Sequence, residues 1–208
     1  MRVWILSLLL VWSLPTWAAQ EGNEGLYEMA APPDSAFVRV VNLTSGQLEL
    51  AMDEWRQSLA PGRAGDYLYR PGGDAQLQVN GQPFAFSFAA RSVQTLAYDG
   101  ERLTAFEDTY FNSRLKALVV MYNLVAQGAS LQTANGAVTV IGPLAASESA
   151  DREINGVKVA LRVSLDDGAS LPLDEAVLQR GRVYSVWVVA GESGPQARLE
   201  EANVATMP

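Results

Sequence analysis

The sequence predicts an all-β chain: two tandem small antiparallel β-sandwich domains of immunoglobulin-like type, joined by a short linker. Three observations predict it. Short runs alternate apolar and polar residues, as in Leu48, Leu50 and Met52, then Ala75, Leu77 and Val79, then Phe84, Phe86 and Phe88. Such period-two runs mark strands with one face in a core and the other in water. Turn pairs separate the runs: Asn80-Gly81, Asp99-Gly100, Asn135-Gly136 and Asp167-Gly168, whose residues accept the positive φ angles of tight hairpins. The pattern of the first half also returns in the second. Phe37-Val-Arg-Val-Val-Asn42-Leu43 matches Leu118-Val-Val-Met-Tyr-Asn123-Leu124 at an offset of 81 residues. Gln76–Gly81 likewise matches Arg162–Gly168, and Val93–Gly100 matches Val183–Gly191.

The first element, residues 1–18, reads as an export signal. Arg2 supplies a positive start, Val3 to Leu14 form a twelve-residue apolar stretch, and Pro15 ends it before the small-residue triplet Thr16-Trp17-Ala18. Cleavage is expected after Ala18. The apolar stretch falls short of the roughly 20 residues of a permanent membrane helix, so no stable membrane insertion is expected after cleavage. Residues 19–35 read as an extended lead-in, with Leu26 and Tyr27 as its anchors.

Residues 36–107 and 117–208 are the two expected sandwiches, the second carrying a C-terminal tail, with residues 108–116 as the linker. Strands recurring every 8 to 12 residues, with no long helical periodicity, point to antiparallel sandwiches. Helix is limited to a turn or two around Leu173 to Leu178. The clearest strand is Val157–Leu165, with apolar residues at every second position. In the linker, Tyr110 and Phe111 are expected to pack between the domains.

Composition excludes several chemistries. The chain has no histidine and no cysteine, so it has neither a Ser-His pair nor a thiolate nucleophile and lacks the commonest zinc and copper ligands. No disulfide stabilises it, which leaves packing to do so. Asp166-Asp167-Gly168 and Asp151-Arg152-Glu153 contain carboxylates without calcium-loop spacing and read as hairpin and loop residues. No phosphate-binding or nucleophile-elbow motif is present. No metal, cofactor or catalytic residue is therefore expected. A carboxylate acid–base pair stays an open alternative, since 23 acidic residues supply candidates. Signal cleavage removes Arg2 and no acid, taking the formal charge from −8 to −9. That field disfavours nucleic acid and polyanions as partners.

A polysaccharide-binding module is the alternative function, because β-sandwiches stack sugars on exposed aromatics. Its candidates are Trp55, Tyr67, Tyr69 and Trp187, each of which reads more readily as a packing residue. Asn42-Leu43-Thr44 fits a glycosylation sequon, but Asn42 sits at a strand end and is discounted.

Leu26-Tyr27, Ala31-Pro32 and Ser35-Ala-Phe-Val-Arg-Val-Val-Asn42 resemble the mature N-terminal region of the AlgF family of alginate biosynthesis proteins. So does Asp151-Arg-Glu-Ile-Asn155, running into Val157-Lys158-Val159 and ending at Asp167-Gly168. The resemblance extends from about Leu26 to Ala190 and includes Tyr110-Phe111 with Lys116–Val119. It departs at Glu28-Met29, where the family tends to have Gly-Pro, and at Gly156, where it has proline. The resemblance implies a periplasmic, non-catalytic accessory protein with two β-sandwich domains, required for O-acetylation of alginate. It implies as partners the periplasmic alginate O-acetyltransferases and a membrane-bound acyltransferase complex, with at most weak contact to alginate. The signature loop and strand start around Arg152, Glu153, Asn155 and Lys158 are the expected partner-binding residues, their mixed charges suiting a protein surface.

Overall fold

The computed structural model describes residues 31–32 and 34–205, all strand, turn or coil. The expected leader, its cleavage site, Leu26-Tyr27 and Glu28-Met29 lie outside the described residues. Among those described, no helix is long and apolar enough to cross a membrane.

Eight strands build the first half: β1 (Ser35–Asn42), β2 (Leu48–Met52), β3 (Trp55–Leu59), β4 (Leu68–Pro71), β5 (Gly73–Val79), β6 (Gln82–Phe88), β7 (Val93–Tyr98) and β8 (Leu103–Asp108). They form two sheets, β4-β1-β7-β8 and β3-β2-β5-β6, with β1 and β7 parallel. Residues 109–115 then lead into ten more strands: β9 (Lys116–Asn123), β10 (Ala129–Thr133), β11 (Thr139–Leu144), β12 (Glu148–Asn155), β13 (Val157–Val159), β14 (Leu161–Leu165), β15 (Ser170–Pro172), β16 (Ala176–Leu178), β17 (Val183–Gly191) and β18 (Gly194–Glu201). These give the sheets β12-β9-β17-β18 and β11-β10-β14-β15, again with one parallel pair, β9 with β17. The two halves thus share strand order, as the repeat in the sequence predicts. The ribbon β13-β16 has no counterpart in the first half.

Three apolar cores hold the sheets together. One joins the two sheets of the first half, pairing Ala36, Val38, Val40 and Leu96 with Leu48, Leu50, Leu77 and Val79. A second does the same in the second half, with Ala117, Val119, Met121 and Val186 against Leu131, Ile141, Leu161 and Val163. The third lies between the halves, where sheet β4-β1-β7-β8 packs on sheet β12-β9-β17-β18 through Phe37, Val41, Phe106, Leu118, Val120, Tyr122 and Trp187. Strands β1 and β9 are therefore buried on both faces. Their sequences read as near-continuous apolar runs because neither face meets water. Phe111 is buried in this third core and Tyr110 packs against it, as expected.

The four turn pairs each connect adjacent antiparallel strands: β5 to β6, β7 to β8, β10 to β11 and β14 to β15. Asn80 and Gly81 both have positive φ, 51° and 80°, as a type I′ turn requires. A Cβ on Gly81 would meet nothing within 4 Å, so Gly81→Ala isolates the backbone term. It is expected to cost about 1 kcal/mol of unfolding free energy, read from denaturant midpoints at constant slope.

Three local expectations are corrected. Val157–Leu165 is two strands, not one: Ala160 interrupts it, its carbonyl accepting Ala134 N, and β13 and β14 enter different sheets. The run has one apolar face in sequence, yet Val157 is exposed, while Val159 and Leu178 on the same side of the ribbon pack on the core of the second half. Leu173–Leu178 is not helical; Ala176–Leu178 is β16, drawn into pairing with β13. Asp151-Arg152-Glu153 is not a loop but the middle of β12, an edge strand exposed on both faces at these positions, with Asp151 and Glu153 on one side and Arg152 on the other.

Candidate functional site

The four expected partner-binding residues sit near one end of the second half. Arg152 and Glu153 lie in β12, Asn155 closes that strand, and Lys158 belongs to β13; all four are exposed. Arg152 Nη1 donates to the carbonyls of Val140 (3.0 Å) and Thr139 (3.3 Å), tying β12 to β11. Asn155 Oδ1 accepts from Lys116 Nζ at 2.7 Å. Lys158 Nζ meets Glu175 Oε2 at 2.8 Å across the ribbon. The structure therefore brings Asn155 and Lys158 toward Lys116 and Glu175, while Arg152 serves a neighbouring strand.

The polar constellation with the deepest burial lies elsewhere, in the core between the halves. Arg39 on β1 is 3 % exposed. Its Nε donates to Thr95 Oγ1 (3.0 Å), and its Nη2 donates to Tyr122 Oη (2.9 Å) and Ser185 Oγ (2.8 Å). Its Cζ lies 4.3 Å from the Tyr67 ring centroid and 4.7 Å from that of Trp187. Tyr67 belongs to the first half and Trp187 to the second, so one guanidinium engages both halves at once. Asp108, at the end of β8, completes the network. Its Oδ2 accepts from Tyr67 (2.9 Å) and Thr95 (2.5 Å), and its Oδ1 accepts from Tyr122 (2.6 Å). Tyr122 also stacks on Trp187 at 4.3 Å. Burying a charge is tolerable only when it is paired and hydrogen-bonded; here the acceptors come from both halves and are complete only when these are docked.

Peripheral contacts cross the same junction. Arg63 and Glu200 form an ion pair, and Thr109 Oγ1 donates to Asp151 Oδ2. The end of the described chain returns to the first half: Tyr67 N donates to Asn203 O, and Ala205 N donates to Tyr67 O, both at 2.8 Å.

Burial is the main force raising the pKa of Tyr122, with Asp108 adding to it and Arg39 opposing it. The hydroxyl therefore stays protonated well above the ordinary phenol range near about 10. In the unfolded chain it ionises there, so above that pH the unfolded state holds fewer protons than the folded one. The contribution is fully present below pH of about 10 and is lost as pH rises beyond it. Tyr184 is shifted the same way, again chiefly by burial. Stability is expected to fall above pH of about 10, by up to ~1.4 kcal/mol per pH unit for each such group. Tyr122→Phe is expected to flatten that fall in denaturant titrations run across the alkaline range.

The loops at the ends of β1 and β9 carry a matched pair of buried asparagines. Asn42 Nδ2 donates to the carbonyls of Gly46 and Leu59. Asn123 Nδ2 donates to those of Gln127, Leu144 and Ala145. The offset of 81 residues that aligns them in sequence thus aligns them in role. Asn42 is fully buried and its amide is committed, which removes it as a glycosylation site.

Comparison with known proteins bears on this arrangement. A family model described as "Alginate O-acetyl transferase AlgF" matches residues 9–185. The chain belongs to the AlgF family. It is 30 % identical over 190 residues to the alginate biosynthesis protein AlgF of Pseudomonas fluorescens, covering 90 % of this chain and 88 % of that one. A solved C-terminal domain of AlgF from Pseudomonas aeruginosa is 30 % identical, covering 42 % of this chain and 98 % of its own, with a TM-score of 0.39. A solved N-terminal domain from the same species is 24 % identical, covering 38 % and 99 %, with a TM-score of 0.34.

In this AlgF-family chain the aromatic residues weighed for sugar stacking do not form a platform. Tyr67 and Trp187 are fully buried between the halves. Tyr69 packs on that same core, and Trp55 on the core of the first half. Among the described residues, no group of three or more acidic, histidine or cysteine side chains is placed to hold a metal ion. The Arg39–Asp108 network was not singled out from the sequence. Its signal is there: an arginine in the middle of Phe37-Val-Arg-Val-Val, a run apolar on both sides, asks for a buried counterpart.

Proposed function

We propose that this chain is a non-catalytic periplasmic accessory protein for O-acetylation of the exopolysaccharide alginate. It joins the acetyl-donor component to the acetyltransferases by presenting two surfaces at a fixed spacing. The observation that carries the reading is the junction: Arg39 is satisfied by groups from both halves, which suits a rigid connector better than two beads on a string. The chemistry available agrees with it. With no imidazole and no thiol in the sequence, the nucleophile and general base of the usual acyl-transfer designs are missing. The word transferase in the family description therefore fits the process served better than the side chains present. Membership of a family whose relatives are called alginate biosynthesis proteins supports the glycan assignment. We take the two sandwiches as residues 36–107 and 117–208, immunoglobulin-like in that the first and next-to-last strands of each half pair in parallel.

The test uses the mature chain, the purified periplasmic alginate O-acetyltransferase and the membrane-bound acyltransferase component in detergent. The expected result is a three-part complex that forms only when the chain is added, with no acetyl transfer by the chain alone. Acetyl transfer by the isolated chain, or failure to bind either component, would overturn the reading.

A further inference from the structure

Arg198 on β18 stands opposite Trp187 of β17, on the face of that sheet that meets the first half. Its Nε and Nη2 are buried, and no group of the chain accepts a hydrogen bond from either. The indole Nε1 of Trp187 lacks an acceptor as well. The carboxylate beside Arg198 is Glu200, whose Oε1 lies 3.9 Å from Arg198 Nε and is already ion-paired with Arg63. One carboxylate thus stands between two arginines. Burial lowers the pKa of Arg198 from its ordinary value, yet a guanidinium keeps its charge at neutral pH. Buried donors without acceptors, on a cation, are costly and call for a physical reason.

A cleft at the junction supplies one. It has a volume of about 770 Å³ and opens between the loops that follow β1 and β3 and the turn from β17 to β18. Arg198 lines it, its guanidinium lying against Gly62 of the first half. A Cβ on Gly62 would sit 3.4 Å from Nη2 and 3.6 Å from Nη1. The Arg198 side chain is 30 % exposed, so it reaches the cleft while two of its nitrogens stay dry. Leu43, Leu124 and Val189 give the cleft an apolar wall, and Asp99 and Glu192 are its exposed carboxylates. Clefts of this size between domains are common places for ligand groups.

We propose that this cleft takes one carboxylate, from an acidic side chain of a protein partner, and that Arg198 receives it. Nη1 and Nη2 form one edge of the guanidinium, the fork on which arginine takes a carboxylate. Apolar neighbours of the acidic residue would meet Leu43, Leu124 and Val189. A single carboxylate matches the single cation, because Asp99 and Glu192 repel further negative charge. A polyuronate carries a carboxylate on every residue and would set the next ones against those two acids. Both halves wall the cleft, so the partner reads their docked arrangement. The inference rests on the connector reading and assigns one of its two surfaces.

The test measures binding of the mature chain to the purified periplasmic alginate O-acetyltransferase, together with unfolding midpoints. Arg198→Met removes the cation, keeps most of the volume and leaves Glu200 its pair with Arg63. It is expected to weaken binding roughly tenfold or more. Its midpoint is expected to be unchanged or higher, because donors buried without acceptors disappear. Ser193→Trp, in the exposed turn beside the cleft, is expected to weaken binding with Arg198 still in place. Arg56→Gln on β3, outside the cleft, is the control and should bind within about twofold of the parent. Raising the salt concentration is expected to weaken the parent's binding. Parent-like binding by Arg198→Met would overturn this site while leaving the connector reading intact. A fall in its midpoint large enough to account for the binding loss would make Arg198 a structural brace and overturn the site as well. No binding by the parent chain would overturn both. Polymannuronate oligomers that bind the parent and lose affinity in Arg198→Met would overturn the protein partner in favour of the polymer.

Discussion

Arg39→Met is expected to cost about 3–5 kcal/mol of unfolding free energy, the range for removing one member of a buried charged network. Methionine keeps most of the volume, so the loss reports the polar contacts. Thr95, Tyr122 and Ser185 lose their shared donor. Asp108, which is half-buried and accepts three hydroxyls linked to that guanidinium, is left without the neighbouring cation. The faces of Tyr67 and Trp187 lose their cation as well. In thermal unfolding this corresponds to roughly 10 °C for a chain of this size. Adding Asp108→Asn should recover part of the loss, because the orphaned carboxylate is then neutral. Additive losses in the double variant would show that Arg39 and Asp108 act separately. Trp187→Phe should be much milder than Arg39→Met. The indole Nε1 has no hydrogen-bond partner, so the change keeps a ring against Tyr122 and gives up only its outer part.

Asn42→Ala and Asn123→Ala are expected to cost about 2–4 kcal/mol each. Each removes a buried amide that satisfies two or three loop carbonyls, and each carbonyl left dry costs about 1–3 kcal/mol before relaxation. Asn123→Ala should be the larger effect, since its Nδ2 serves three carbonyls and Asn42 Nδ2 serves two. Asn42 has an extra local role, its Oδ1 accepting from both the backbone N and the hydroxyl of Thr44, which Thr44→Ala separates. Replacement by aspartate should be no better than alanine, because the lost group is the donor. Chemical denaturation of the single variants measures both claims, and equal midpoints for Asn123→Ala and the parent would contradict them.

Much of the fold was legible because its signals are local. Leu48, Leu50 and Met52 alternate because β2 has one face in a core, and Asn80-Gly81 turns because its φ angles demand it. The repeat survived as the asparagine pair, since a buried amide tied to loop carbonyls cannot drift freely in sequence. What failed was whatever depends on where a sheet ends. Nothing in Val157–Leu165 says that its first residues leave the sheet of its last ones, because alternation reports one wet face and not which neighbour is present. Asp151-Arg152-Glu153 lacks apolar residues and so looked like a loop, although an edge strand that is exposed on both faces needs none there. The junction was hidden for a different reason. Arg39, Thr95, Asp108, Tyr122 and Ser185 are far apart in sequence and meet only when two sheets dock, and periodicity carries no information about docking. Phe111 gave the clearest hint, as an aromatic in a polar connection.

A rigid connector requires the two halves to hold one arrangement. Because the chain has no cysteine, Ser87→Cys and Ser170→Cys can place one spin label in each half, both at exposed positions. The distance between the labels is then measured by pulsed electron spin resonance, in the chain with Arg39 and in its Arg39→Met variant. A single narrow distribution that broadens on Arg39→Met is the predicted result. A broad or multiple distribution in the chain that retains Arg39 would contradict a rigid connector.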